Sequence, residues 1–128
     1  MRGSVVLLIC ALVIPVCGCS NSKEEVVPVG TQAAWDAKFA AANSIRNVEQ
    51  KDEAMTDLAT QAAQVMQWSI LLKTLDNIHN SHTHDVAARV SAVTLAKRGR
   101  FDYARQIADK IRNTTIQDDA LKQISQIK

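Results

Sequence analysis

The 128-residue chain has little that would interrupt a helix. Its two prolines, Pro15 and Pro28, both lie near the N-terminus, so no proline occurs from Gly30 onward. Because proline breaks helix interiors, long helices are permitted throughout that region. The three cysteines all lie at or before Cys19, which leaves no thiol beyond it for a disulfide, a metal ion or nucleophilic catalysis.

The arrangements typical of enzymes are also lacking. The chain has no Gly-rich phosphate loop, no serine–histidine–acid combination on a plausible scaffold, and no paired carboxylates outside expected helix starts. Aromatic residues make up only 4% of the chain, whereas hydrophobic residues make up 47% and charged residues 22%, as in a folded protein. We therefore expect a folded protein that is not an enzyme and holds no cofactor.

The first 18 residues have the pattern of a secretory signal peptide. Arg2 supplies a positive start, and residues 5–16 are almost wholly apolar. This run is shorter than the roughly 20 residues that cross a membrane. It ends in Val-Cys-Gly-Cys at residues 16–19, which resembles the lipobox of bacterial lipoproteins. An ordinary signal peptide cut nearby and an uncleaved anchor are the alternatives.

The lipobox resemblance implies cleavage before Cys19 and acylation of that cysteine, for instance with palmitate, as a lipid anchor in the bacterial cell envelope. Ser20 follows it where an Asp commonly causes inner-membrane retention in such lipoproteins, so the outer membrane is favoured over the inner membrane. Residues 19–33 then read as the lipidated cysteine and a flexible tether. Residues 34–128 form the remaining domain.

A motif of the form Ile-x-Asn recurs in that domain, with its isoleucine at positions 45, 78 and 111, a step of 33 residues. An aromatic residue at 35, 68 and 101 and an aspartate at 52, 85 and 118 follow the same register. We call residues 33 apart sister positions. A period of this size indicates stacked copies of one small supersecondary unit.

Apolar residues at helical spacing predict an all-α fold. The expected architecture is a right-handed α-solenoid of antiparallel helix pairs, with about two and a half repeats of the 33-residue unit. The asparagine of each motif either ends one helix or caps the next. The predicted helices are 34–46, 52–65, 68–79, 84–98 and 101–112, with a sixth from about 116.

One joint between helices resembles a known repeat. Gly-Arg-Phe-Asp-Tyr-Ala at residues 99–104 is similar to the joint of a tetratricopeptide repeat (TPR), and Ala92 occupies the matching small position. The unit 52–80 departs from this pattern, with Met66 at the glycine position and Leu71 at the alanine position. A HEAT-like helical hairpin is therefore the alternative.

Charge is unevenly distributed along the chain. Residues 20–85 carry a net charge of −4 and residues 86–112 a net charge of +5. A basic surface favours an acidic partner, whereas nucleic acid is disfavoured by the envelope address. TPR-like grooves bind extended or helical peptides on their concave side. The resemblance therefore implies that the partner is an envelope protein with an acidic segment or a C-terminal carboxylate. An ordinary solvated surface is the alternative. The residues that the resemblance places there are Arg89, Val93, Lys97, Lys122 and Gln126.

A histidine cluster gives an alternative function. His79, His82 and His84 lie within six residues and precede Asp85, a set that could bind zinc, copper or nickel. Their sister positions are polar, which favours exposed loop residues instead. The alternative hypothesis is a small metal-binding lipoprotein.

Two further expectations concern packing. The aromatic residues that open successive helices, Trp35 and Phe101 among them, are expected to pack between neighbouring units. Ile124 and Ile127 lie on a last helix that no further repeat unit follows. We expect another chain to cover this helix, or the helix to fold back, so a self-associating structural envelope protein is a further alternative.

Overall fold

The computed structural model describes residues 30–128, and every regular element within this range is an α-helix. The predicted all-α class is thus confirmed. No helix among these residues is both long enough and apolar enough to span a membrane. The predicted signal peptide and Cys19 lie outside the described residues. The helices are α1 (Gln32–Asn43), α2 (Val48–Gln64), α3 (Trp68–Asp76), α4 (Ser81–Lys97), α5 (Phe101–Ala108) and α6 (Thr114–Ser125).

The asparagine of each Ile-x-Asn motif caps the helix that follows it. Asn47, Asn80 and Asn113 have extended backbones, with φ of −74°, −74° and −78°. Each side-chain oxygen accepts a hydrogen bond from the backbone N–H three residues later, at 2.9, 2.9 and 3.0 Å. This is N-cap geometry, and it decides between the two roles that the sequence allowed.

The caps also explain why several predicted helix boundaries are wrong. The Ile-x pair before each asparagine is a non-helical connection, so the preceding helices end at Asn43, Asp76 and Ala108 rather than at 46, 79 and 112. The following helices begin directly after the cap, up to four residues earlier than predicted. Helix α1 begins at Gln32, two residues before the predicted boundary.

The long helices α2 and α4 each end in the same tight turn. Met66 and Gly99, which are sister positions, have φ of +61° and +78°. The next residue donates its N–H five residues back, from Gln67 to Ala62 and from Arg100 to Leu95. This is a Schellman ending, for which glycine is the usual residue. Met66 takes the left-handed conformation despite its side chain, at a cost of about 1–2 kcal/mol.

Each long helix packs between two later helices. Helix α2 packs against α3 and α4, and α4 in turn packs against α5 and α6. Alanines that are 0% exposed, including Ala59 on α2 and Ala92 on α4, let these helices approach closely. The larger side chains buried among them are Met55, Ile70, Leu71, Leu75, Leu95 and Ile107.

The aromatic residues divide into buried and exposed ones. Trp35 is buried, and the Trp68 ring lies 4.6 Å from the Tyr103 ring on α5. Phe101 is 42% exposed. The predicted burial between units is therefore wrong for Phe101, whose side chain is partly open to solvent.

Candidate partner-binding surface

Three of the five predicted partner-binding residues share one face of α4. Arg89, Val93 and Lys97 are spaced by four residues, so their side chains follow one another along the helix. Arg89 and Val93 are half-buried, and Lys97 is exposed in the last turn. The other two are the sisters of Arg89 and Val93. Lys122 lies in the last turn of α6 and Gln126 directly after that helix, and both are exposed.

A salt bridge joins the two helices at this surface. Arg89 Nη1 lies 3.1 Å from Asp119 Oδ2, and both side chains are partly exposed. Asp119 also accepts a hydrogen bond from Gln123 at 2.7 Å. The Arg89 charge is therefore matched within the molecule, which the sequence did not reveal. Lys97 and Lys122 form no ion pair among residues 30–128.

Most basic side chains of residues 86–112, the segment that begins on α4, form no ion pair with a carboxylate among residues 30–128. Apart from Arg89, its basic residues are exposed and belong to none of the ion pairs found in the described part of the chain. Arg100 lies over the Tyr103 ring at 5.4 Å. The exposed residues are Lys97, Arg98, Arg100, Arg105, Lys110 and Arg112.

The surface of α2 has the opposite charge. Its first half carries Glu49, Glu53 and Asp57, all exposed. These carboxylates line an open cavity of about 330 Å³, together with Asn80 and Thr83 of the next repeat. An acidic surface on α2 and a basic surface around α4 and α5 thus lie on one molecule.

The main structural residues that sequence reasoning missed are two buried aspartates. Asp52 and Asp85 are each only 3% exposed. Asp52 accepts the backbone N–H of His79 and Asn80 at 2.9 and 2.8 Å. Asp85 accepts the same two groups one repeat later, from Arg112 and Asn113, at 3.2 and 2.9 Å. We call this arrangement the carboxylate clamp, since each aspartate holds the Ile-x-Asn connection of the next repeat.

The clamp corrects the role expected from the sequence. The predicted helices 52–65 and 84–98 place Asp52 and Asp85 in a first turn, where a carboxylate interacts with the helix dipole. Asp52 instead lies in the second turn of α2, because that helix begins at Val48. The recurrence of aspartate every 33 residues was the available signal in the sequence. The contacts that account for it lie 27 and 28 residues further along the chain, at the N–H groups of His79 and Asn80.

Hydrogen bonding controls the protonation of both clamps. Burial alone would raise the pKa of Asp52, but the N–H groups of His79 and Asn80 and the His79 imidazole outweigh burial and lower it. Burial likewise opposes ionisation of Asp85, and its pKa is lowered by the His84 side chain and by the two N–H groups that it accepts. Both carboxylates are therefore ionised at neutral pH.

The clamp is not complete at the two ends of the described chain. Asp118, the third sister, is exposed and accepts no hydrogen bond within residues 30–128. The backbone N–H groups of Arg46 and Asn47, sisters of those held by Asp52, have no acceptor in the same range. Within residues 30–128, the carboxylate of Asp118 thus lacks donors near the C-terminal end. The N–H groups of Arg46 and Asn47 lack an acceptor near the N-terminal end.

The three histidines have different neighbours. His79 is exposed, with Nδ1 3.5 Å from Asp52, whereas His84 is buried, with Nδ1 3.0 Å from Asp85. The expectation of three exposed loop residues is wrong for His84, which is buried within α4, and wrong in part for His82, which also lies in α4 and not in a loop. His82 is exposed. The described residues contain no group of three or more His, Cys, Asp or Glu side chains placed to hold a metal ion.

The chain matches no protein-family model, no curated protein and no solved structure. Its function is therefore inferred from its own residues and their contacts.

Proposed function

We propose that this chain is a lipid-anchored lipoprotein of the bacterial envelope that binds another protein through a helical-repeat domain. Cys19 carries the lipid, residues 19–33 form the tether, and the domain lies on the periplasmic face of the outer membrane. The partner presents an acidic segment or a C-terminal carboxylate. The protein acts as an interaction module or scaffold and not as an enzyme.

The repeat architecture proposed is a right-handed α-solenoid, TPR-like or HEAT-like. Two recurring features support it: the Asn cap, found three times, and the carboxylate clamp, found twice, each at the 33-residue step. Met66 and Gly99 both adopt the left-handed backbone conformation. This supports a TPR-like joint both in the unit with Met66 at the glycine position and in the unit with Gly99.

One observation supports the acidic partner most directly. Lys97 and Lys122 are exposed on neighbouring helices, and neither is matched by a carboxylate among residues 30–128, whereas Arg89 beside them is. Two unmatched cations on one face attract a negatively charged partner. The Arg89–Asp119 salt bridge joins the same two helices.

A double charge reversal tests this surface. The variant Lys97→Glu with Lys122→Glu, expressed as the full chain, is crosslinked in native membranes and the attached proteins are identified. We expect the wild-type partner to be lost. The matched control is Arg105→Glu with Lys110→Glu, which changes the net charge equally on exposed residues elsewhere. Retention of the partner by the first variant, or equal loss with the control, contradicts this binding face.

The lipid anchor has its own test. Replacing Cys19 with serine removes the only side chain that the lipobox resemblance marks for acylation. We expect the variant to lose incorporation of labelled palmitate. Cys17→Ser serves as the control, because it keeps the modified cysteine. Labelling that persists in Cys19→Ser would rule out this attachment site.

A further inference from the structure

A groove between α1 and α2 is covered by no other helix among residues 30–128. It has a volume of about 440 Å³, and the Lys38 ammonium donates across it to the Gln61 side chain at 3.2 Å. Its floor is mostly apolar, with Ala41 exposed and Ile45 and Ala54 half-buried.

The same groove exists in the next repeat, where it is filled. The sisters of Ala41, Ile45 and Ala54 are Thr74, Ile78 and Ala87, with exposures of 0%, 7% and 0%. They lie between α3 and α4, the two helices against which α2 packs. One repeat later, α4 occupies the groove between α5 and α6 in the same way. Each such groove is thus a seat for the long helix of the preceding repeat.

Helix α6 has the matching face, which the rest of residues 30–128 leaves open. In α4, the residues Asp85, Ala88 and Ala92 are 3%, 0% and 0% exposed. Their sisters in α6 are Asp118 and Ser125, both exposed, and Leu121, half-buried. The face that seats a long helix in the next groove is therefore open in α6.

Polar groups on the two open faces are complementary as well. In both filled grooves, the aspartate of the seated helix accepts the two N–H groups of the following Ile-x-Asn connection. The open groove has these N–H groups, at Arg46 and Asn47, and the open helix has the carboxylate, at Asp118.

We propose that two copies of this chain associate head to tail, with α6 of one copy seated in the α1–α2 groove of the other. Asp118 accepts the backbone N–H groups of Arg46 and Asn47 of the second copy, and so forms the missing carboxylate clamp. The contact joins different surfaces of the two copies, so it continues into open chains or closes into a ring. The partner binding proposed above involves the face bearing Lys97 and does not require this contact.

Photocrosslinking locates the contact. A leucine analogue that carries a small photoreactive diazirine replaces Leu121, which is half-buried on the open face of α6, in the full chain. Membranes of the expressing bacterium are then irradiated. We expect covalent dimers and higher multiples, with crosslinks to residues 41–58 of a second copy. Crosslinks from α6 to α6, to other proteins only, or within one chain would overturn the proposal.

Two variants block opposite faces. Ala41→Trp fills the groove, and Asp118→Asn removes the charged acceptor; we expect the first to abolish association and the second to weaken it at least about tenfold. Ala40→Trp and Asp76→Asn are the matched controls, because both residues are exposed. Lys73, the sister of Ala40 in the repeat whose groove is filled, is also exposed, so position 40 lies outside the proposed contact. Circular dichroism checks that each variant keeps its helices.

Mixing variants gives the decisive outcome. A chain with Ala41→Trp keeps a free α6, and a chain with Asp118→Asn combined with Ser125→Trp keeps a free groove. Each alone should be monomeric by light scattering in detergent, and an equimolar mixture should form a dimer but no larger species. Failure to form the dimer from wild-type or mixed chains, with helices intact, would overturn the proposal.

Discussion

Asp85 and Asp118 occupy the same position in successive repeats, yet their surroundings differ. Asp85 is buried and holds two backbone N–H groups of the following connection. Asp118 is exposed and holds none within residues 30–128. The residue type is the same in both cases, so the difference arises from the neighbouring repeat and not from the local sequence.

The asparagine caps show the opposite behaviour. Asn47 and Asn113, in the first and last motifs, form the same short-range hydrogen bond as Asn80 between them. A cap needs only its own helix, whereas a clamp needs a second repeat. The caps thus stabilise single helices, whereas the clamps stabilise the contact between one connection and the long helix that precedes it.

The largest expected effect comes from removing one interior clamp. Asp85→Ala deletes a charged acceptor and leaves the N–H groups of Arg112 and Asn113 without a partner, so we expect a loss of about 3 kcal/mol in the free energy of unfolding. Asp118→Ala should cost less than about 0.5 kcal/mol in dilute, dissociated protein. Urea unfolding measures both. Equal losses would abolish the distinction between interior and end.

Amide hydrogen exchange compares the donors directly. The N–H groups of His79 and Asn80 are bonded to Asp52, whereas those of Arg46 and Asn47 have no acceptor in the described residues. In dissociated protein we expect the first pair to exchange roughly a hundredfold more slowly than the second. The proposed association would slow the second pair as well, so dilution should restore its fast exchange.

Acid should weaken the interior clamps selectively. Because hydrogen bonds lower the folded-state pKa of Asp52 and Asp85, their contribution is fully present above the unfolded-state pKa, near 3.8, and is lost as pH falls through the lower folded-state pKa. The free energy of unfolding should therefore drop below about pH 4. The double variant Asp52→Asn with Asp85→Asn should show a shallower drop, and Asp118→Asn a drop like wild type.

The periodicity predicted the helical class and the recurring positions, because helix formation and burial leave patterns in nearby residues. It did not predict the carboxylate clamp. The distance between Asp52 and the amides of His79 and Asn80 along the chain is nearly a whole repeat, and backbone donors have no sequence signature. The helix starts were misplaced for a related reason: Asn47 can end or begin a helix, and only the orientation of its side chain towards Gln50 decides.

The smallest expected effect tests the local half of the comparison. Alanine at Asn47 or at Asn80 removes one N-cap hydrogen bond, which should cost about 1 kcal/mol in the free energy of unfolding. The cost should be similar at both sites, because each cap bonds only within its own helix, to Gln50 or to Thr83. Serine at either position retains a capping oxygen and should recover most of the loss. A much larger loss at Asn80 would mean that its cap and the Asp52 clamp act as one unit, since Asn80 both caps α4 and donates its N–H to Asp52.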